Sequence, residues 1–431
     1  MRYGIVCPGC EVPFLVRLGM APSKMTRFYV PCPTCKLPIR GRSHGTDLDS
    51  HKIDFEAQRF RGDEPKIIVT IDPNVPSRYE ATELDGELGS APTMTLLRLV
   101  GGERSRDLLE YLPRGRYAAE ELWPKARRIY EYYLEADWER FNKAGRSMFE
   151  DWSDPATTHE RATAAHQALG LVLNEMTEDD HPASKTFIDR WTKKHTGALD
   201  YVAYREFARA DADAGGLAIA QRQVFDVLDL FVQRFDSWQM GILYRIIPQE
   251  RLSLLDGLTL FRDEFDILRD LYQQAFETIC KTLRYPVAAQ NTIKRHNPND
   301  FGNIVPQVLT RKANPGNLVA FERLSNYEKL QYVAQIPGMQ DWVGLLDNKT
   351  RNAIGHATVR HDLRTGLVVS DAVPAGVRYL EVAADVYGIF DALRVSLQVV
   401  RGIRVISSPD FEKRIHDSAA SVRKVLELPS S

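Results

Sequence analysis

The sequence lacks both a long apolar run and a strong excess of either charge. No stretch approaches the roughly 18 consecutive apolar residues of a membrane-spanning helix, and the N-terminal segment MRYGIVCPGC contains no apolar region of the kind found in secretion signals. The 56 basic and 58 acidic side chains give a formal net charge of -2, so no global basic field favours non-specific nucleic-acid binding. We therefore expect a soluble cytoplasmic protein without a membrane partner, in which any contact with nucleic acid uses a local basic patch.

Cysteine is scarce, and its distribution along the chain is uneven. Five cysteines occur in 431 residues, and four of them form two close pairs before residue 36. The fifth, Cys280, lies in an apolar helical pattern, where we expect a buried thiol without a chemical role. Closely paired cysteines in a reducing compartment indicate metal ligation rather than disulfide bonds.

The two cysteine pairs predict a zinc ribbon. Cys7-Pro-Gly-Cys10 and Cys32-Pro-Thr-Cys35 flank a segment with the length of a short hairpin. A two-residue gap lets both sulfurs of a turn reach one ion, and four thiolates fill the tetrahedral shell of Zn²⁺ with no open position. The site is then structural, and metal binding supplies much of the folding free energy of residues 1–45. The ribbon could serve as a structural cap or as a contact module for nucleic acid or a regulatory protein. For the second role the basic candidates are Arg27, Lys36, Arg40 and Arg42.

The rest of the chain is long enough for two or three further regions. Residues 46–95 are polar except for the β-branched run 67–71, which predicts a connector with short strands. In residues 96–215 and 216–431, apolar residues recur three and four positions apart, which predicts amphipathic helices on both sides of a glycine pair. The predicted fold is mainly α, with a small β-rich ribbon, a connector, a central helical region and a C-terminal helical domain.

Two segments within the helical regions carry weaker predictions. Residues 285–323 are rich in asparagine, proline and glycine, which predicts an extended insertion. His159, Glu160 and His166 lack the spacing of a zinc-protease motif, and we expect them on a solvated helix face.

The candidate catalytic residues lie more than three hundred positions after the ribbon. Arg351 precedes His356 by five positions, which are about 140° apart on a regular helix. Gly355, directly before the histidine, favours a helix end there. His356 can then turn back toward Arg351, or both can face a cleft shared with a second subunit. The residues that follow, 357–369, have the pattern of a β-hairpin.

Together with Asn352, these residues carry a family resemblance. The segment from about Gly216 to Arg401 resembles the HEPN domain, an α-helical bundle whose nuclease members carry arginine, a polar residue, several further residues and then histidine. Here Arg351, Asn352 and His356 fill that pattern. The resemblance implies a metal-independent endoribonuclease that acts on RNA as a homodimer, with two motifs meeting at the subunit interface. It suggests a toxin or an antiviral defence effector.

The chemistry of the three residues is consistent with RNA cleavage through the 2′-hydroxyl. A histidine with a pKa of about 6.5 can transfer protons at neutral pH, and an arginine can hold two phosphate oxygens at once. Asn352 could orient the phosphate or the imidazole. In the alternative interpretation, Arg351 and Asn352 cap a helix end and His356 packs under the hairpin. The protein is then a non-catalytic scaffold that binds a nucleic acid or a protein.

Overall fold

Helices dominate the structure, a computed structural model, so the predicted mainly-α class is confirmed. No helix in the described part of the chain combines the length and the apolar character needed to cross a membrane. The structure describes residues 2–19, 23–45, 52–62, 65–83, 92–177, 182–302, 315–346, 359–370 and 373–411.

The helices follow the apolar periodicity of the sequence. A π-helical turn, Ala118–Leu122, joins α2 to α3, and 3-10 segments cover Gln239–Ile242 and Gln249–Gly257. The helices are α1 (Pro92–Val100), α2 (Gly102–Tyr117), α3 (Trp123–Leu134), α4 (Trp138–Met148), α5 (Thr158–Glu175), α6 (Pro182–Ala198), α7 (Val202–Asp213), α8 (Gly216–Gln233), α9 (Phe235–Trp238), α10 (Leu243–Ile246), α11 (Phe265–Thr282), α12 (Arg284–Arg295), α13 (Leu318–Glu322), α14 (Asn326–Ala334), α15 (Gln340–Gly344) and α16 (Tyr379–Ile406).

The strands form three small sheets, ordered β6-β1-β2-β7-β8, β3-β4-β5 and β11-β10-β9. Neighbouring strands are antiparallel except for β2 and β7, which run parallel. The strand predicted at 67–71 and the hairpin predicted after His356 are both confirmed. The strands are β1 (Arg2–Val6), β2 (Pro13–Leu18), β3 (Ser23–Pro31), β4 (Pro38–Gly45), β5 (Lys52–Phe55), β6 (Gln58–Arg59), β7 (Ile67–Ile71), β8 (Glu80–Glu83), β9 (Arg360–Asp362), β10 (Leu367–Ser370) and β11 (Val373–Arg378).

The chain folds into two compact units, each assembled from separated segments. Unit 1 comprises residues 1–116, 234–273 and 347–388, and unit 2 comprises 117–233, 274–346 and 389–431. The predicted C-terminal domain therefore contributes residues to both units.

The core of unit 1 forms where the N-terminal sheets meet later segments of the chain. Along β4, the residues alternate between buried Ile39, Gly41 and Ser43 and exposed arginines, as expected for a strand with one covered face. Gly41 lies directly against the Phe28 ring, which a Cβ atom at this position would approach to 2.4 Å. The core also includes Phe261.

Unit 2 is built from helices that pack through aromatic side chains. The Tyr130 and Phe225 ring centroids lie 4.8 Å apart, and the Phe231 and Phe390 rings stack at 5.3 Å. The Trp123 indole N–H donates to the Asp229 carboxylate at 2.7 Å. These contacts connect α3, α8 and α16 within the unit.

The extended insertion predicted from residue 285 is wrong for its first part, because α12 continues to Arg295. Pro286 lies in the first turn of α12, where the missing N–H has no helical partner to lose. Tyr285, Val287 and Ala288 are fully buried. Burial of this apolar face outweighs the helix-breaking composition that the prediction relied on.

The solvated face predicted for His166 is also wrong, because its side chain is only 1% exposed on α5. Glu160 does lie at the exposed start of this helix, where it forms a capping box with Thr157. The two positions differ by six residues, which places them about 120° apart around the helix. Only the first turn is therefore solvated as expected.

Candidate metal centre

The first cysteine pair lies in the turn between β1 and β2. The Cys7 N–H donates to the Val12 carbonyl at 3.0 Å, and the Glu11 N–H donates to the Cys7 carbonyl at 2.9 Å. Glu11 has a left-handed backbone with φ of 59°. The turn therefore closes tightly and presents both sulfurs on one side.

The second pair repeats this geometry between β3 and β4. The Cys32 N–H donates to the Leu37 carbonyl at 2.9 Å, and the Lys36 N–H donates to the Cys32 carbonyl at 3.0 Å. Lys36, like Glu11, has a left-handed backbone, with φ of 60°. The two turns therefore share the same backbone hydrogen bonds, and in each a left-handed residue directly follows the second cysteine of Cys-X-X-Cys.

The four cysteine sulfurs meet in one cluster, and all lie within 4.8 Å of one another. The Cys7 and Cys35 sulfurs are 3.6 Å apart, and so are the Cys10 and Cys32 sulfurs. Around a tetrahedral ion with bonds of about 2.3 Å to sulfur, the sulfurs would lie about 3.8 Å apart. The cluster therefore has the size of a four-thiolate metal site, with ligands from both turns.

Burial and backbone hydrogen bonds set different proton affinities within the cluster. The Leu37 N–H is the main cause that lowers the pKa of Cys35 to about 7, while burial raises the pKa of Cys32 to about 12. The Gly9 N–H donates to the Cys7 sulfur at 3.4 Å. A metal ion binds thiolates, so its binding would release the protons that the buried thiols otherwise keep.

Two of the basic side chains proposed for external contacts are instead bound within unit 1. Arg27 forms an ion pair with Asp266, and the Arg40 guanidinium donates to Asp263 at 2.8 Å. Lys36 is exposed, with its ammonium 4.7 Å from the centroid of the Tyr79 ring.

Arg42 is the remaining basic candidate of the ribbon. Among the residues that the structure describes, it has no ion-pair partner. The pairing of Arg27 and Arg40 favours the structural cap over the contact module.

Beside β3 lies a buried polar group that the sequence did not indicate. Arg262 is fully buried, and its guanidinium donates to Glu264 at 2.8 Å and to the Pro73 carbonyl at 2.8 Å. Glu264 also accepts the backbone N–H of Arg27 at 2.9 Å. No local pattern could have revealed this group, because Pro73 lies 189 positions from Arg262 and Arg27 lies 237 positions from Glu264.

Unit 1 has a cleft of about 600 Å³. His361 lies at its wall, with the ring centroids of Tyr29 and Tyr379 at 5.7 Å and 5.0 Å. Burial lowers the pKa of His361 to about 4, so its ring is neutral at physiological pH. The charged side chains that line the cleft are Arg27, Arg40, Arg42, Asp54, Glu56, Asp263 and Asp266. Because both signs are mixed, the cleft does not present a uniformly positive surface to a polyanion.

The three predicted catalytic residues, Arg351, Asn352 and His356, lie outside the described residues. The described structure resumes at Val359 and enters the predicted hairpin. Of the two predicted sites, the metal centre is the one that lies within the described residues.

Comparison of the chain with protein-family models, with curated proteins and with solved structures finds no match.

Proposed function

We propose that the four cysteines bind one structural Zn²⁺ ion. The convergence of four sulfurs within 4.8 Å carries this proposal, because Zn²⁺ favours four thiolates in tetrahedral geometry and then has no open position for substrate. Metal analysis of the purified protein should give one zinc per chain. A chain that folds and stays metal-free in the presence of zinc would contradict the proposal.

We further propose that the chain is a metal-independent endoribonuclease, active as a homodimer, with Arg351, Asn352 and His356 as its site. The sequence pattern of these residues supports the proposal, together with the hairpin that follows them and the long helix α16. His356 would transfer protons during attack by the 2′-hydroxyl, and Arg351 would stabilise the charged phosphate. The products would then carry a 2′,3′-cyclic phosphate.

The test is RNA cleavage by full-length protein without added divalent metal, with the zinc content measured before and after the reaction. Deleting the ribbon is unsuitable as a control, because β3 contributes to the core of unit 1. We expect Arg351→Ala and His356→Ala each to slow cleavage by about 100-fold or more. Arg364→Ala, at an exposed position of the hairpin turn, is the control with the same loss of charge and should keep full activity.

The binding scaffold is the second candidate, and the same experiment separates it from the enzyme. Cleavage that persists in both Arg351→Ala and His356→Ala would rule out the proposed site. RNA binding without cleavage in the wild-type protein would favour the scaffold.

A further inference from the structure

Two neighbouring helices of unit 2, α6 and α12, carry an excess of positive charge. α6 has four lysine and arginine side chains and one acidic side chain, and α12 has three lysine and arginine side chains and no acidic one. In the whole chain, by contrast, acidic and basic side chains are almost equal in number. The excess is therefore a local property of these two helices.

The two helices lie side by side and run in the same direction. The Lys194 ammonium donates to the side-chain oxygen of Gln290, and a Cβ atom at Gly197 would lie 3.9 Å from the Ile293 side chain. Three positions along α6 thus correspond to three positions along α12. The helices are parallel, and their C-terminal ends lie together.

The hydrogen bond from Lys194 to Gln290 brings basic residues of the two helices onto one surface. Arg190 is four positions before Lys194, and Lys294 is four positions after Gln290. Side chains four positions apart lie on the same face of a helix. Arg190, Lys194 and Lys294 therefore follow one another in a row, about 6 Å apart along the helix direction.

This row faces solvent. Arg190 and Lys294 are exposed, as is Lys193, and Lys194 is half-buried. The stem of Arg190 lies across Gly338, where an added Cβ atom would approach the arginine Cδ to 2.2 Å. These four cationic side chains form the basic row of unit 2.

The members of the basic row lack acidic partners. No carboxylate in the described ranges forms an ion pair with any of them. The two arginines of α12 are paired, because Arg284 binds Asp211 and Glu322 and Arg295 lies 3.6 Å from the Asp300 carboxylate. The uncompensated charge of the helices is therefore concentrated in the row.

Repulsion between the cations agrees with this arrangement. Burial lowers the pKa of Lys194, and the charges of Lys294 and Arg190 lower it further. Like charges close together disfavour the charged form of each group, and an opposite charge restores it. An anionic ligand on the row would supply that opposite charge.

An exposed aromatic ring lies at the end of the row. His296 directly follows α12, and its ring lies 4.9 Å from the Tyr201 ring, with the two planes inclined by 34°. The His296 side chain is exposed. Unpaired bases of nucleic acids stack on such rings. Cations beside an exposed ring fit a nucleic-acid strand better than an acidic protein segment, which has no bases.

We propose that the basic row binds the phosphate backbone of a single nucleic-acid strand, and that the His296 ring stacks on one of its bases. Lysine and arginine contacts to phosphates carry no sequence information, so binding should be independent of base sequence. The surface contains neither Arg351 nor His356. Binding at this surface therefore does not depend on the proposed cleavage reaction.

The experiment is fluorescence anisotropy of the full-length protein with a fluorescein-labelled 2′-O-methyl polyuridine 20-mer. This probe has no free 2′-hydroxyl, so the proposed ribonuclease chemistry cannot cleave it and binding is measured separately. Saturable binding that weakens steeply with added salt is expected, because each phosphate contact releases counterions. No saturable binding, or displacement by polyglutamate as readily as by unlabelled strand, would overturn the proposal. The ribonuclease proposal would still stand or fall by the cleavage assay.

Matched double variants test the basic row. Arg190→Gln combined with Lys294→Gln should weaken binding by about tenfold and reduce the salt slope by about 1.4, or about 0.7 for each lost phosphate contact. Lys125→Gln combined with Arg128→Gln removes the same charge from exposed positions of α3 and should change neither quantity. Equal weakening by both double variants would show that only net charge matters. That result, or unchanged binding by the first double variant, contradicts the proposal.

A separate pair of variants tests the aromatic ring. His296→Ala should weaken binding by about fivefold or more, because stacking of one base contributes about 1 kcal/mol or more. His296→Phe keeps a ring without the imidazole and should bind as tightly as the wild-type protein. Equal affinities of the alanine and phenylalanine variants would contradict a stacking role.

The wild-type protein provides a test that needs no variant to fold. Lysine acetylation with and without the probe, measured by mass spectrometry, should show protection of Lys193 and Lys294 by the bound strand. Lys125, which is also exposed, should react equally in both samples. Equal reactivity of Lys193 and Lys294 with and without the probe would overturn the proposal.

Discussion

The guanidinium of Arg262 binds the carboxylate of Glu264 at 2.8 Å, and both side chains are at least 97% buried. Glu264 is also the acceptor for the backbone N–H of Arg27 in β3. One buried ion pair therefore joins a strand of the ribbon to the segment that precedes α11. The exposed ion pair of Arg40 and Asp263 joins the neighbouring strand, β4, to the same segment. The buried pair lies within the segment that precedes α11 and reaches β3 through Glu264, whereas the exposed pair joins β4 to that segment.

We predict that the two ion pairs contribute very differently to stability. Glu264→Gln leaves the Arg262 charge buried without its partner, and we expect the free energy of unfolding to fall by about 3 kcal/mol or more. Arg40→Gln breaks an exposed pair and should cost less than about 1 kcal/mol. Urea unfolding of the two variants beside the wild-type protein measures the difference. Similar losses in both variants would contradict this account of the interface.

The metal centre should stabilise unit 1 as well as the ribbon. Cys7 and Cys32 belong to the same buried core as Phe261 and Leu363, which come from much later in the chain. We expect Cys35→Ser, at an exposed ligand position, to lower both the zinc content and the unfolding temperature. Cys280→Ser is the control, because this buried thiol lies outside the cluster and should leave the zinc content unchanged. Full zinc retention by Cys35→Ser would contradict the four-thiolate site.

We predict that stability falls in mild acid, with His361 as one cause. Burial lowers its pKa in the folded state to about 4, whereas the unfolded chain has a pKa of about 6.5. Below the higher value the unfolded state binds more protons, so stability is lost as the pH falls from about 6.5 toward 4. At about pH 5 the loss from this residue should be about 2 kcal/mol relative to neutral pH.

His361→Phe keeps a ring between Tyr29 and Tyr379 and removes the titrating group. Urea unfolding at several pH values should therefore show a weaker acid dependence in this variant. His166 and His195 contribute to the remaining dependence, because burial lowers their pKa values to about 3 and about 4. An unchanged pH profile in His361→Phe would show that its ring is protonated without cost in the folded state.

Sequence patterns predicted the features that depend on nearby residues. The cysteine turns could be predicted because each forms within six residues, from Cys7 to Val12 and from Cys32 to Leu37. The apolar periodicity likewise predicted the helices. Contacts across the chain were beyond such patterns, and the N–H of Arg27 bonds to a carboxylate 237 positions away. The burial of His166 was missed for the same reason, because it depends on which helices pack against α5.

Two glycines should respond to alanine in opposite directions. At Gly41 in β4, an added Cβ would lie 2.4 Å from the Phe28 ring, which is itself fully buried. We expect Gly41→Ala to lower the free energy of unfolding by about 1 to 3 kcal/mol through overpacking. At Gly170 in α5, the added Cβ meets nothing within 4 Å. There alanine should stabilise the helix by about 0.5 to 1 kcal/mol, because it reduces the conformational freedom lost on folding. Urea unfolding of the two variants tests both predicted changes in the free energy of unfolding. A Gly41→Ala protein as stable as the wild type would show that the Phe28 ring can shift to accommodate the added Cβ.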